Sequence, residues 1–253
     1  MNSKLNPIQQ FEKEREDRVE VLAQDVEFRK QSRDWLEQSM RRQYVYNFSW
    51  LGRPIIQNPI DMIAMQELIW TVQPDVIIET GIAHGGSIIY SASLLELNAA
   101  CGGNPEAFVI GIDIDIREHN REAILQHPMS KRITMLQGSS VAMEIVAKVH
   151  DLVKEKKKIL VFLDSNHTHE HVLAELNAYA GLVSKDSYCV VFDTFVEDVP
   201  ADVFENRPWS PGNSPKTAVH TYLVSHPEFV IDKNMHHKLQ ITVAPDGFLK
   251  RIV

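Results

Sequence analysis

The sequence predicts an α/β fold: a doubly wound, mostly parallel sheet with a C-terminal antiparallel hairpin, preceded by a helical extension. Three observations carry this expectation. Short hydrophobic runs at 75–79, 107–113, 132–136, 159–163 and 187–192 alternate with segments of helical period, as strands joined by crossover helices do. Runs such as Ile159-Leu160-Val161-Phe162-Leu163 are apolar throughout, so they belong in a sheet covered on both faces. Glu79, Asp113, Asp164 and Asp193 stand at the ends of such runs, at the carboxyl edge where ligands of open α/β sheets collect.

The chain has 253 residues, enough for one large α/β domain or a medium one with additions. Its 26 basic and 34 acidic residues leave a formal net charge of -8, which disfavours nonspecific nucleic-acid binding. Cys101 and Cys189 are the cysteines; one lies in a Gly-rich loop and one inside a hydrophobic run, so no disulfide framework is expected. No apolar run reaches the ~18 residues at the lower end for a membrane span, and the charged start does not read as a signal peptide. A cytoplasmic location follows as the expectation.

In chain order, residues 9–43 are strongly charged and helix-compatible. Val19, Leu22, Val26, Trp35, Leu36 and Met40 form an incomplete apolar stripe, which suits one or two helices lying over the domain or against a second subunit. A homo-oligomer is therefore expected. Residues 44–60 read as an aromatic loop with two prolines, either covering a cleft or filling space between layers. Residues 1–60 thus form an extension, and 61–253 the main domain. A helix over 61–71 has Asp61 in its first turn behind Pro59 and packs beside the first strand.

Regular alternation begins at 75. Strand 75–79 leads to helix 86–99 and the loop 101–105, and strand 107–113 to helix 117–126. Strand 132–136 leads to helix 140–155, strand 159–163 to helix 168–180, and then comes strand 187–192. Residues 195–216, rich in Pro, Asp and Asn, form a long loop. A helix over 216–225 and a strand near 228–231 follow. Two strands are expected around Pro245-Asp246-Gly247 as an antiparallel edge hairpin.

The chemistry centres on Val76–Gly86, V-I-I-E-T-G-I-A-H-G-G, a buried strand, a tight turn and a helix start. Gly81 suits a positive φ, and Gly85-Gly86 allow a ligand to approach the backbone. The spacing is not G-x-G-x-x-G, and Glu79 would oppose a pyrophosphate. An acid beside such amides better suits a ligand carrying both a cation and a carboxylate. His84 either contacts that ligand or fills the turn. Asp113 suits a ribose diol, and Gly138-Ser139 lies where a third strand end flanks an adenine. Asp164 and Asp193 are suited to hold Mg²⁺ jointly, which would lower the pKa of a bound hydroxyl. His167, three residues beyond Asp164, is the first choice for a general base. His169 and His171 are expected as surface residues at the start of the following helix, pointing in different directions and not spaced as a zinc motif.

These residues carry a resemblance. Similar to the cephalosporin hydroxylase and rhamnosyl O-methyltransferase family are P-D-V-I-I-E-T-G-I-A-H-G-G-S at 74–87, V-I-G-I-D-I-D at 109–115 and Q-G-S-S at 137–140. V-F-L-D-S-N-H-T-H-E-H-V at 161–172, V-V-F-D-T at 190–194, P-W-S-P-G-N-S-P-K-T-A-V at 208–219 and the opening Tyr46–Asp61 also match. The resemblance covers most of the chain beyond about residue 40. It implies a Rossmann-like class I methyltransferase moving a methyl group from S-adenosylmethionine to an oxygen of a sugar or secondary metabolite. Glu79 and Gly81, with His84, Gly85 and Ser87 in the same turn, would border the methionine part, Asp113 the ribose, and Gly138 and Ser139 the adenosine. A divalent metal would be held by Asp164 and Asp193. The family's acidic pair after the fifth strand is Phe192-Asp193 here, so one potential ligand is missing. His167 supplies one well-placed histidine, short of a facial iron triad. Trp50, Trp209 and Tyr179 are candidates for the acceptor side or, equally, for the core. The alternatives are a non-catalytic cofactor-binding or assembly protein, or a hydrolase or oxidoreductase on the same fold; the missing G-x-S-x-G argues against an α/β-hydrolase.

Overall fold

The computed structural model describes residues 6–253. Helices α1 (Pro7–Gln24) and α2 (Val26–Arg41) come first, broken at Asp25, whose carboxylate accepts from the Phe28 amide and so caps α2. A small hairpin follows, β1 (Phe48–Trp50) and β2 (Arg53–Ile55), then α3 (Pro59–Val72). The alternating body comprises β3 (Val76–Thr80), α4 (Gly86–Ala100), β4 (Phe108–Asp113), α5 (Glu118–Leu125), β5 (Ile133–Gln137) and α6 (Met143–Val153). It continues with β6 (Ile159–Leu163), α7 (His169–Tyr179), β7 (Tyr188–Val191) and α8 (Pro215–Leu223). The last elements are β8 (Phe229–Ile231), α9 (Lys233–Leu239) and β9 (Phe248–Arg251).

The seven-stranded sheet has the order β5-β4-β3-β6-β7-β9-β8. Strands β3 to β7 are parallel, and β9 runs antiparallel to both β7 and β8. The expected fold class is the observed one. The chain winds outward from β3 through β4 to β5, then returns to β6 on the other side of β3. That reversal opens the crevice between the ends of β3 and β6 where such sheets bind ligands.

Side chains along each strand alternate between two cores. Ile77, Val109, Leu160 and Val190 face one, shared with α3 and α4; Val76, Ile78, Ile110, Val161 and Val191 face the other, shared with α6, α7 and α8. This two-sided burial is what the unbroken apolar runs dictate.

The aromatic stretch 44–60 is more ordered than a loop. Leu51 and Gly52 have φ of 45° and 85°, the signature of a primed two-residue turn, and they close the β1–β2 hairpin. Trp50 meets Tyr90 of α4 edge-on at 4.9 Å and donates to Ser93 Oγ at 3.0 Å, while Ile55 is buried in the α3–α4 core.

At the C-terminal side the antiparallel pair is β8–β9, whereas the residues before Pro245 form no strand. Asp61, wholly buried in α3, explains the difference. Its carboxylate accepts from Thr242 Oγ1 at 2.5 Å and from the Val243 amide at 2.9 Å, so that amide serves a side chain and not a ladder. Residues 233–239 instead become α9, capped by Asp232.

Candidate active site

Strand β3 runs into a turn in which Gly81, Ala83 and Gly85 have φ of 91°, 46° and 86°. A Cβ on Gly81 would overlap the main-chain oxygen of Asp164, one on Gly85 would meet Ile124 Cδ1 at 2.5 Å, and one on Gly86 would meet Ile55 Cβ at 2.6 Å. The space their missing side chains leave is taken up by other parts of the protein, α5 and the β1–β2 hairpin, while Gly86 also lines the crevice.

Asp113 braces this turn. Its Oδ2 accepts from the amides of Ile82 and Ala83 at 2.8 and 3.1 Å, and its Oδ1 from Asp115 at 3.0 Å. Arg53 holds the turn from outside, donating Nε and Nη2 to the His84 carbonyl at 3.1 and 2.6 Å and Nη2 to Asn120 Oδ1 at 2.8 Å.

Glu79 lies beneath the turn, wholly inside. Burial pushes its carboxyl up to about 7, against the opposing pull of the Ser87 and Ser91 hydroxyls. Its Oε2 accepts from Ser91 at 3.0 Å, and its Oε1 has no partner among the described residues. A buried carboxylate oxygen with spare acceptor capacity fits the ammonium of an amino-acid moiety.

Across the crevice, Asp164 follows β6, His167 lies three residues on, and Asp193 follows β7. One donor atom from each falls within 4.8 Å of the others. His167 Nε2 is 2.9 Å from Asp193 Oδ2, and the ring meets Trp209 edge-on at 4.6 Å. Asp193 adopts a left-handed φ of 55°, an uncommon conformation of the kind that collects at functional sites. Gln57, brought in just after β2, donates Nε2 to Asp164 Oδ2 at 2.8 Å.

Burial raises the Asp164 carboxyl to about 7; the charges of Asp193 and Glu79 add to this, and His167 and Gln57 oppose it. Burial alone would lower the His167 pKa, but the carboxylate of Asp193, followed by that of Asp164, leaves it raised. Two carboxylates and an imidazole this close fit a divalent cation that keeps some of its waters. Phe192 gives no ligand; its buried ring packs against Phe162 at 6.2 Å.

A cavity of about 650 Å³ is lined by Gly81, His84 and Ser87 on one side and by Asp164, His167 and Asp193 on the other. Glu79 borders an adjoining small cavity with Ser87 and Asp164. Asp113, Gly138 and Ser139 stand outside, at the neighbouring ends of β4 and β5, where the Gly138 amide donates to the Asp113 carbonyl at 2.9 Å. The structure therefore groups the named residues into an acid side, Asp164, His167 and Asp193, and a second side, Asp113, Gly138 and Ser139, at the neighbouring strand ends.

Of the aromatic candidates, Trp209 lines the cavity, together with Tyr46 and Phe195. Trp50 is engaged with α4, and Tyr179 is wholly buried on the opposite face of the sheet, donating to the Ser140 carbonyl; neither lines the cavity. The surface expectation for His169 and His171 is also corrected. Both are half-buried: His169 Nδ1 is 2.8 Å from Thr217 Oγ1, and His171 Nε2 is 3.1 Å from Ser140 Oγ. They do point in different directions.

Gln57 and Glu175 escape a reading of the sequence. The only signals are a polar residue amid the I-I-Q-N-P run and an acid between Val172 and Leu176 on the apolar stripe of α7.

Residues 42–252 match the family model described as Rhamnosyl O-methyltransferase/CmcI. The chain belongs to the rhamnosyl O-methyltransferase/CmcI family. The rhamnosyl O-methyltransferase of Mycobacterium tuberculosis is 28% identical over 228 residues, covering 86% of each protein. That of Mycobacterium leprae is 27% identical over 225 residues, covering 86% of this chain and 91% of the relative.

Among solved structures, CmcI with Mg and S-adenosylmethionine superposes with a TM-score of 0.55 at 17% identity, covering 82% of this chain and 78% of that one. The O-methyltransferase TomG of Streptomyces achromogenes, in complex with S-adenosylmethionine, gives 0.53 at 13% identity, covering 82% of each. These likenesses establish the Rossmann-like fold of a family member. No helix among the described residues is long and apolar enough to cross a membrane.

Proposed function

We propose that this protein is an S-adenosylmethionine-dependent O-methyltransferase that acts on a hydroxyl of a sugar or secondary metabolite. The observation that carries this is the single cavity with the glycine turn on one wall and Asp164, His167 and Asp193 on the other. Family membership supports the methyl donor, and the curated relatives support a saccharide acceptor.

S-adenosylmethionine supplies a sulfonium methyl: its S–C bond breaks as a new O–C bond forms to the acceptor, leaving S-adenosylhomocysteine and a methyl ether. Glu79 holds the methionine ammonium, and Gly81, His84, Gly85 and Ser87 frame that end of the cofactor. Asp113 and the Gly138-Ser139 turn face the adenosine. His167 takes the acceptor's proton, and Asp193, 2.9 Å away, stabilises the resulting imidazolium. Asp164 and Asp193 would hold Mg²⁺, which would supply a charge that lowers the pKa of the acceptor hydroxyl. Trp209 offers a flat apolar face to the acceptor, and Gln57 orients Asp164. The two free cysteines support a cytoplasmic setting, and the exposed apolar residues of α1 and α2, among them Phe11, Val21 and Trp35, support a homo-oligomer.

Calorimetric titration of metal-stripped protein with S-adenosylmethionine and S-adenosylhomocysteine, repeated with Mg²⁺, tests this reading. Binding of either nucleoside supports the cofactor, and tighter acceptor-analogue binding with Mg²⁺ supports the Asp164/Asp193 site. No binding of either nucleoside would sink the methyltransferase reading.

A further inference from the structure

One atom of the α7 carboxylate joins the two sides of the site. Glu175 Oε1 accepts from Ser140 Oγ at 2.5 Å and from Ser165 Oγ at 2.7 Å. Ser140 follows Gly138-Ser139 on the adenosine side, and Ser165 follows Asp164 on the acid side. His171 Nε2 lies within 3.1 Å of the first hydroxyl and 3.2 Å of the second, and 3.4 Å from Glu175 Oε1. Tyr179, one turn along α7, donates to the Ser140 carbonyl. Glu175 is wholly buried, and its Oε2 has no partner among the described residues.

For stability alone this is a poor arrangement. An apolar side chain of similar volume avoids the cost of desolvating a carboxylate, and a half-satisfied polar network ranks below an apolar core. What the carboxylate does provide is geometry: two hydroxyls on one oxygen fix the separation of the turns after β5 and β6. Those turns flank the crevice from its two sides.

We infer that Glu175 is a positioning residue that sets the adenosine-side turn against the Asp164 turn, so that cofactor affinity depends on a side chain that never touches the cofactor. The inference rests on the S-adenosylmethionine reading above. Its chemistry is hydrogen bonding alone, with no proton or electron transferred.

The test is S-adenosylhomocysteine affinity by calorimetry, with folding checked by circular dichroism and thermal melting. Glu175→Leu keeps the volume and removes both acceptor bonds, and weakens binding about tenfold or more, as expected for the loss of two such bonds. Glu175→Gln, whose amide oxygen accepts both hydroxyls, restores affinity to within about twofold of wild type. Ser140→Ala and Ser165→Ala each weaken binding and add little in the Glu175→Leu background, the mark of one shared unit. The Ser140→Ala/Ser165→Ala double variant repeats the test with the carboxylate intact, and serves if Glu175→Leu fails to fold. A melting temperature that drops while affinity holds, in Glu175→Leu or in the double serine variant, overturns the proposal and leaves a purely structural Glu175. Wild-type protein that binds no S-adenosylhomocysteine overturns the methyltransferase reading itself.

Discussion

Gly81 sits so close to the main-chain oxygen of Asp164 that no side chain fits between them. This contact joins the end of β3 to the end of β6 across the sheet's reversal. It brings the turn proposed for the cofactor against the acid proposed for the metal. The φ of 91° at Gly81 adds a second constraint, since side chains other than glycine's rarely adopt it.

Gly81→Ala must therefore push the two turns apart. The expected result is a loss of roughly 1–3 kcal/mol in stability from combined strain and overpacking. Nucleoside binding weakens by about tenfold or more, as a shift of that energy implies. Chemical denaturation and calorimetry read the two effects; a variant with wild-type affinity would show that this contact does not shape the site.

His167→Gln removes the proton acceptor and leaves the cofactor side untouched. S-adenosylhomocysteine affinity should stay near wild type while methyl transfer falls about 10²–10⁴-fold, the usual worth of a general base. Radiolabelled transfer to an acceptor measures it. Full activity in the variant would move proton removal to the cation or to solvent.

Asp61 predicts a pH dependence of stability. Burial raises its carboxyl to about 7 from an ordinary value of 3.8, against the Thr242 and Val243 hydrogen bonds. The folded protein therefore binds more protons than the unfolded chain between those values, and stability falls as pH rises through that window, by up to ~1.4 kcal/mol per unit from this one group. Asp61→Asn lacks this slope. Its stability relative to wild type should rise from pH 4 to pH 7 in parallel urea titrations, and a constant difference would contradict the raised value.

Arg53→Ala releases the His84 carbonyl from two hydrogen bonds and Asn120 from a third. A cost of about 1–3 kcal/mol is expected for losing charge-assisted bonds at a half-buried site. Nucleoside affinity should fall with it, and Arg53→Lys should recover little, because a single ammonium cannot reproduce the fork. Equal affinity in Arg53→Ala and wild type would mean that the turn holds its shape unaided.

The acid side of the site was legible because its residues follow strands with unmistakable sequences. Ile159–Leu163 has no polar interruption, so Asp164 marks its end without ambiguity, and His167 follows at short range. The same holds for Glu79 after Val76-Ile77-Ile78. Gln57 and Arg53 were not legible, because their partners lie 107 and 31 residues away and nothing local announces such pairings. The segment 240–244 misled for a related reason: its Ile-Thr-Val favours a strand, but the buried Asp61 takes the Val243 amide from 182 residues away, and tertiary demand overrides local preference. Tyr179 stays open between site and core in the sequence because an aromatic residue in a helix carries no mark of which sheet face it will join.

Strand β9 lies between β7 and β8 in the sheet and follows both in the chain. During synthesis β7 therefore emerges with one edge open, and β8 has no ladder to join until residue 251 has left the ribosome. At ~5–20 residues per second, the 56 residues between Val191 and Phe248 keep that hydrophobic edge unpaired for several seconds. An unpaired edge invites pairing with another chain, which makes the growing polypeptide, before β9 is made, the stage most in need of a chaperone.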